Sequence, residues 1–317
     1  MAHAHRPFRF LAEAGAVSDG RALAETARRA EATGIDVLVI ADHLVNKLAP
    51  IPAMATIAAA TERLRIGTFV LNNDLRHPAV LAQDLASLDV LSGGRLEIGI
   101  GAGWNAPEYR AIGLPFEAVG TRVARLEEAV AVLKGSFGRG PFSFAGAHYA
   151  ITELDGRPKP IQRPHPPLFI GGGGRRLLSL AGREADIVGL APRLLPGVRG
   201  DPSSITIAAT QEKVGWVREA AGARFDSLEL NIYPSMSPVL VTDHAHRAAS
   251  RLAARLAKRT GVEVSPADLL DSPHIFIGSV DELVEKFRSL RERLGVSSIM
   301  VGTLDDLPGV VERLAGT

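Results

Sequence analysis

Short apolar runs alternate with longer segments of helical period along the 317 residues of the chain. Such alternation predicts a parallel sheet whose strands are joined by crossover helices. The runs are FRFLAE (8–13), VLVIA (37–41), LRIGTFVL (64–71), RLEIGIG (95–101), PLFIG (167–171), DIVGL (186–190), LELNIY (228–233) and SSIMVG (297–302), eight strands in all. Among the segments between them, RALAETARRAEATG closes at Gly34, and HPAVLAQDLASLDVLSGG opens with Pro78 and stops at Gly93 and Gly94. In the second of these, Leu81, Leu85 and Leu88 fall on one helical face. Further on, Ser279 stands three residues before Glu282 and the segment ends at Gly295, the pattern of a capping box followed by a glycine stop.

Eight strands with intervening helices predict a (β/α)8 TIM barrel, a fold of about 250 residues, here a single domain over 1–317. An open doubly wound sheet is the alternative, since strand count alone does not close a barrel. Three connections, 135–166, 191–205 and 234–278, are too long for bare crossovers. They read as insertion segments in the loops at the C-terminal face, where barrel folds build their sites. Within 157–167, RPKPIQRPHPP, prolines at 158, 160, 164, 166 and 167 exclude a helix and impose an extended approach to the fifth strand.

Composition narrows the function classes. The chain is 46% apolar with a formal charge of +1, and its arginines are scattered, which gives no electrostatic footprint for nucleic acid. No run of about 18 apolar residues predicts a membrane span, and the N-terminal MAHAHRPFRF lacks a signal-peptide core. A cytoplasmic location is the expectation. Cysteine is absent, so disulfides and thiolate metal sites are excluded. Two His-x-His pairs, His3 with His5 and His244 with His246, lack the partners and placement of a barrel metal site, and no metal is expected.

Candidate chemistry sits at strand ends. Asp42 and His43 directly follow the second strand, where an imidazole could exchange a proton with a substrate; the plainer alternative is a capping Asp beside a packed His. After the fourth strand, GIGAGWNAPEY (99–109) carries Gly99, Gly101 and Gly103. Their missing side chains admit either a flat ligand or another backbone, with Trp104 and Glu108 as candidate pocket residues. After the third strand, LNNDLRHP (71–78) offers two asparagines that suit a heterocycle's amide and carbonyl groups or an ordinary turn. His77 precedes Pro78 at a helix entrance. The run Gly171 to Gly174, between the fifth strand and a helix that opens on Arg175 and Arg176, exposes backbone N–H groups at a positive helix end. Two arginines there oppose the macrodipole, which points to an anion that offsets them; a flexible loop with solvated arginines is the alternative.

Taken together, VIADHL, IGTFVLNNDLRHPAVLAQDLASLDVLSGGRLEIGIGAGW, FAGAHY, RPKPIQRPHPPLFIGGGG and SLAGREADIVGL resemble the luciferase-like monooxygenase superfamily, specifically its branch of oxidoreductases that use the deazaflavin coenzyme F420. The resemblance covers nearly the whole chain. It implies a (β/α)8 barrel with the deazaflavin across the C-terminal mouth, Asp42 against the ring and His43 as proton donor or acceptor. It also implies a non-prolyl cis peptide at Phe69-Val70. Asn72, Ala102 and Gly103 would line the ring and ribityl chain, and Gly172, Gly173, Gly174, Arg175, Arg176 and Leu177 would meet the phosphate.

Sugar-phosphate dehydrogenases of this branch carry a catalytic glutamate directly after the strand-four glycines. This chain has Trp104 there and its glutamate only at Glu108. The expected function is F420-dependent hydride transfer to or from a small organic substrate, with His43, Trp104 and Glu108 as catalytic residues. An FMN-dependent monooxygenase is the first alternative, and a non-catalytic flavin-binding protein is the alternative of another class. The expected substrate is apolar, because the inserted loops hold mostly small or apolar residues. A homodimer is implied by the resemblance.

Overall fold

The computed structural model describes residues 6–15, 17, 19–45, 48–195 and 200–317. Its strands are β1 Arg9–Glu13, β2 Val37–Ile40, β3 Arg65–Thr68, β4 Leu71–Asn72, β5 Leu96–Gly101, β6 Phe142–Ala145, β7 Ala150–Leu154, β8 Leu168–Gly172, β9 Ile187–Leu190, β10 Glu229–Ile232, β11 Leu240–Val241, β12 Ile277–Gly278 and β13 Val296–Met300. The helices are α1 Gly20–Ala32, α2 Pro50–Ala60, α3 Pro78–Leu91, α4 Ala106–Ala111, α5 Val119–Phe137, α6 Arg175–Glu184, α7 Ile207–Ala221, α8 Ala245–Thr260, α9 Pro266–Asp271, α10 Val280–Leu294 and α11 Pro308–Leu314.

Every one of the eight predicted runs forms a strand. Hydrogen bonding orders the large sheet β3-β2-β1-β13-β10-β9-β8-β5-β4, with β3 also bonded to β5. This is the closed order of a (β/α)8 barrel and excludes the open doubly wound sheet. The third run divides into β3 and β4, and the peptide between Phe69 and Val70 is cis, where the resemblance places it. His3 and His5 lie outside the described residues.

The chain forms two compact units. The first comprises residues 14–29 and 37–170. In it β2 and β3 run parallel with Val37 opposite Arg65 and Ile40 opposite Thr68. Leu81, Leu85 and Leu88 are buried on α3, as their spacing predicts. The glycines of β5 answer to close packing: a Cβ on Gly99 would lie 2.0 Å from the Thr68 carbonyl oxygen, and one on Gly101 would lie 2.9 Å from the Val70 side chain at Cγ2. The proline-rich segment carries cis peptides at Arg157-Pro158 and Arg163-Pro164. It is tied to α3 by Asp89, whose carboxylate accepts from the backbone N–H of Ile161 at 2.7 Å and of Gln162 at 2.9 Å.

The predicted insertion 135–166 contains the antiparallel hairpin β6–β7. Its turn rests on Glu128 of α5, whose carboxylate accepts from the N–H groups of Ala147, His148 and Tyr149 at 2.8 to 3.0 Å. Desolvation pushes the Glu128 carboxyl up, but the three N–H donors outweigh it and hold its pKa below the ordinary value. A depressed pKa contributes stability above the unfolded value that is lost as pH falls through the folded one. Hydrogen exchange followed across acidic pH is therefore expected to show protection at residues 147–149 vanishing before protection of the β5 amides. Equal persistence of the two would exclude Glu128 as the clamp.

The second unit comprises residues 171–317 with 30–36 and the β1 segment. Here β13 pairs with β1 and β10, and β10 with β9. Helix α10 shows the predicted capping box between Ser279 and Glu282 and ends on Gly295 in the left-handed region. The insertion 234–278 holds α8 and α9 around a small core that includes Leu252, Leu256, Leu269 and Ile275. Lys213 donates to the carbonyls of Ala191 at 2.8 Å and Ser204 at 2.6 Å, closing the 191–205 connection. Burial lowers its pKa to about 8. Among the described residues, no helix is long and apolar enough to cross a membrane.

Candidate active site

Asp42 and His43 leave β2 where the chain turns out of the sheet. In the first unit, His43 Nδ1 lies 3.0 Å from Glu108 Oε1 and 3.2 Å from Oε2. A carboxylate only accepts, so an Nδ1 hydrogen occupies this bond, and in the neutral ring Nε2 then carries the lone pair. The His43 side chain is 28% exposed and that of Glu108 8%, so the carboxylate is screened from water while the imidazole is reachable. The half-exposed Trp104 stands edge-on to the His43 ring, with centroids 5.7 Å apart. His43, Trp104 and Glu108 thus come together, and the glutamate missing after the strand-four glycines arrives from the first turn of α4.

Asp42 has a different set of partners. Arg76 grips it with both arms, NH1 to Oδ2 at 2.6 Å and NH2 to Oδ1 at 3.1 Å, and the Asn72 N–H donates to Oδ2 at 3.0 Å. This buried carboxylate therefore ties the end of β2 to the turn after β4. Arg76 was not among the residues singled out in the sequence. Its signal would have been the lone cation in LNNDLRHP beside a strand-end acid.

Around Gly103, which has φ +73°, the site is packed by side chains rather than open. The Tyr109 hydroxyl lies 2.9 Å from Asn72 Oδ1 and 2.9 Å from Asp74 Oδ2. A Cβ on Gly103 would fall 2.0 Å from that hydroxyl. Burial, reinforced by the Asp74 charge, pushes the Tyr109 phenol up to about 12, so it stays a donor. Arg122 donates to the carbonyls of Ala102, at 3.1 Å, and Gly103. Asn72 Oδ1 also accepts the Asp74 N–H at 3.1 Å, which leaves the Asn72 NH2 group as its free end. Asn73 Nδ2 donates to the Tyr149 hydroxyl at 3.3 Å, whereas its buried Oδ1 has no partner among the described residues. His77 caps α3, accepting the Ala79 N–H at 3.3 Å on Nδ1.

In the second unit the glycine run divides by role. A Cβ on Gly172 would meet Leu177 Cδ2 at 2.5 Å and one on Gly173 the Pro192 carbonyl oxygen at 2.3 Å, but Gly174 faces open space. These first two glycines answer to packing. Helix α6 starts at Arg175, and its N-cap, Gly174, supplies no side chain to the first-turn amides. Arg175 pairs with Glu219 of α7 at 2.8 Å, both side chains being mostly exposed. A protein carboxylate therefore already offsets one of the two arginines, which corrects the argument from charge at the helix start. Arg176 is exposed and has no ion-pair partner among the described residues. No group of three or more His, Cys, Asp or Glu able to hold a metal occurs among those residues, and His244 stands at the N-cap of α8.

Comparison with known proteins gives the family of the chain. The sequence model of the luciferase-like monooxygenase family matches residues 5–298. An F420-dependent glucose-6-phosphate dehydrogenase from Nakamurella multipartita is 30% identical over 311 residues, covering 89% of this chain and 87% of that protein. An FMNH2-dependent dimethylsulfone monooxygenase from Pseudomonas putida is 39% identical over 128 residues, 40% of this chain and 35% of that one. Several further curated relatives are matched over about half their length. The coenzyme F420-dependent tetrahydromethanopterin reductase from Methanopyrus kandleri has the same fold, with a TM-score of 0.73 at 21% identity over 98% of this chain and 97% of the other. The chain belongs to the luciferase-like monooxygenase family.

Proposed function

We propose that this protein is an F420-dependent oxidoreductase acting on a small organic substrate, through an activated C=C, C=N or C=O group or the corresponding alcohol. The observation that carries the reading is the His43–Glu108 pair, a reachable imidazole whose tautomer is fixed by a buried carboxylate. In favour of F420 over FMN, the F420-dependent relative aligns over most of both chains, whereas the FMNH2-dependent one aligns over less than half of each.

In the first unit the residues present fit the edge of a heterocyclic ring, and in the second, taken by itself, they fit a phosphate. Asn72 offers a free NH2 donor and Asn73 an unpartnered, buried Oδ1 acceptor, a pair that suits the carbonyl and N–H groups of a heterocyclic edge. For the phosphate, the candidates are the uncapped amides of the first turn of α6 behind Gly174, with Arg176 beside them. When bound, the deazaflavin would supply the two-electron, hydride-carrying chemistry. His43 Nε2 would give a proton to the substrate or take one from it. Glu108 would hold the ring in the required tautomer and stabilise the imidazolium. Trp104, with Leu44 and Val45 exposed just beyond His43, would offer an apolar wall, which supports an apolar substrate.

Titration of the purified protein with F420 and with FMN, each followed by fluorescence, tests the cofactor. Saturable F420 binding is expected. Tight FMN binding with no response to F420 would instead establish the monooxygenase reading. We also infer a homodimer in the cytoplasm, and sedimentation at micromolar concentration checks the dimer.

A further inference from the structure

A closed circuit of contacts surrounds His43, and one hydroxyl joins its two arms. The first arm runs from His43 to Glu108 and then to the next residue, Tyr109. Its counterpart runs from the preceding residue, Asp42, which accepts the Asn72 N–H, to Asn72, whose Oδ1 lies 2.9 Å from the Tyr109 hydroxyl. Tyr109 is almost completely buried. Its oxygen occupies the space that a side chain on Gly103 would claim.

Helix α4, which carries Glu108, has little to hold it in place alone. It is six residues long, and Asn105 at its N-cap makes no side-chain capping bond. A helix this short does not persist through its own hydrogen bonds, so its orientation is set by what its side chains grip. Tyr109 supplies the grip. Its single hydroxyl hydrogen is shared between Asn72 Oδ1 and Asp74 Oδ2, each 2.9 Å away, and Asp74 is itself fixed by Arg125 of α5 at 2.9 Å. The Tyr109 ring meets Phe116 edge-on at 5.0 Å, and Arg122, which holds the Ala102 and Gly103 carbonyls, lies 4.0 Å over Phe116.

We propose that Tyr109 is the positioning residue of this site, its hydroxyl fixing at once the Glu108 carboxylate on His43 Nδ1 and the Asn72 amide with its NH2 end free. The proposal rests on the reading of His43 and Glu108 as the proton-handling pair, but its geometry exists without any cofactor. Tyr109 touches neither the imidazole nor a reacting atom and acts through its neighbours.

The test uses the full chain without cofactor, 15N-labelled at histidine. The hydrogen on His43 Nδ1 is expected to be protected from solvent exchange in the native protein and to lose that protection in Glu108→Ala, which removes its acceptor. Tyr109→Phe, which keeps the ring and its contact with Phe116, is expected to speed this exchange by about ten- to a hundredfold, the scale of one lost charge-assisted hydrogen bond. Its thermal unfolding is expected to remain cooperative. Should Tyr109→Phe fail to fold, Asp74→Asn keeps the phenol and weakens its acceptor, and a smaller acceleration of the same signal is expected. Native exchange at His43 in a folded Tyr109→Phe or Asp74→Asn protein would overturn the proposal. A failure of F420 to bind the native protein would sink the cofactor reading and leave this result standing.

Discussion

His43→Ala is expected to cut turnover by about 10²- to 10⁴-fold, the range supplied by a positioned general acid or base, while binding of the proposed cofactor stays close to native. The split between turnover and binding follows from the geometry. His43 reaches Glu108 through Nδ1 and has no other hydrogen-bond partner among the described residues, so its removal disturbs little of the packing. Glu108→Gln is expected to be less damaging, because an amide keeps the contact but no longer stabilises the charged imidazole. Steady-state and single-turnover rates with saturating reduced cofactor would measure both. Full turnover in His43→Ala would remove His43 from the chemistry, whereas an absence of turnover in the native protein would favour the non-catalytic flavin-binding alternative.

The second large effect concerns stability. Arg76→Ala is expected to lower the unfolding free energy by about 3 to 5 kcal/mol, because it leaves the Asp42 carboxylate buried without its counter-charge. The Asp42 side chain is 2% exposed, and among the described residues only the Asn72 N–H would still donate to it. Arg76→Lys is expected to restore only part of the loss, since an ammonium cannot reproduce the two-armed grip. Urea unfolding read by circular dichroism checks this, with the slope unchanged and the midpoint lowered. A loss below about 1 kcal/mol would place the pair among ordinary surface bridges.

Much of the fold was legible because buried parallel strands read as continuous apolar runs and helix ends carry their own punctuation. VLVIA and RLEIGIG read as strands without alternation, and Ser279 with Glu282 marks a helix start in the sequence alone. The split of the third strand was not visible in LRIGTFVL itself, and the resemblance supplied only the cis peptide at Phe69-Val70. Strand-end position brought forward Asp42, His43 and Glu108, yet it said nothing of which side chains meet. Arg76 and Asp42 are 34 residues apart in sequence, and Tyr109 and Asn72 are 37 apart. No local pattern encodes such pairs. The glycines show the same limit: GIGAG fits a ligand or a close neighbour equally well, and only the Thr68 backbone at Gly99, the Val70 side chain at Gly101 and the Tyr109 hydroxyl at Gly103 decide for packing. Helix-end electrostatics failed for Arg175 because its partner, Glu219, belongs to another helix.

Gly174 has a consequence for how this protein could be redesigned. It sits at the N-cap of α6 in an extended conformation with nothing near its missing Cβ, so a serine would fit without strain. Its hydroxyl would accept from the first-turn amides and raise helix stability by a few tenths of a kcal/mol, about what serine gains over glycine at such positions. The same hydroxyl would compete with any anion for those amides. Stabilising this helix and keeping its end receptive are opposing demands on one residue, and a glycine there favours receptivity.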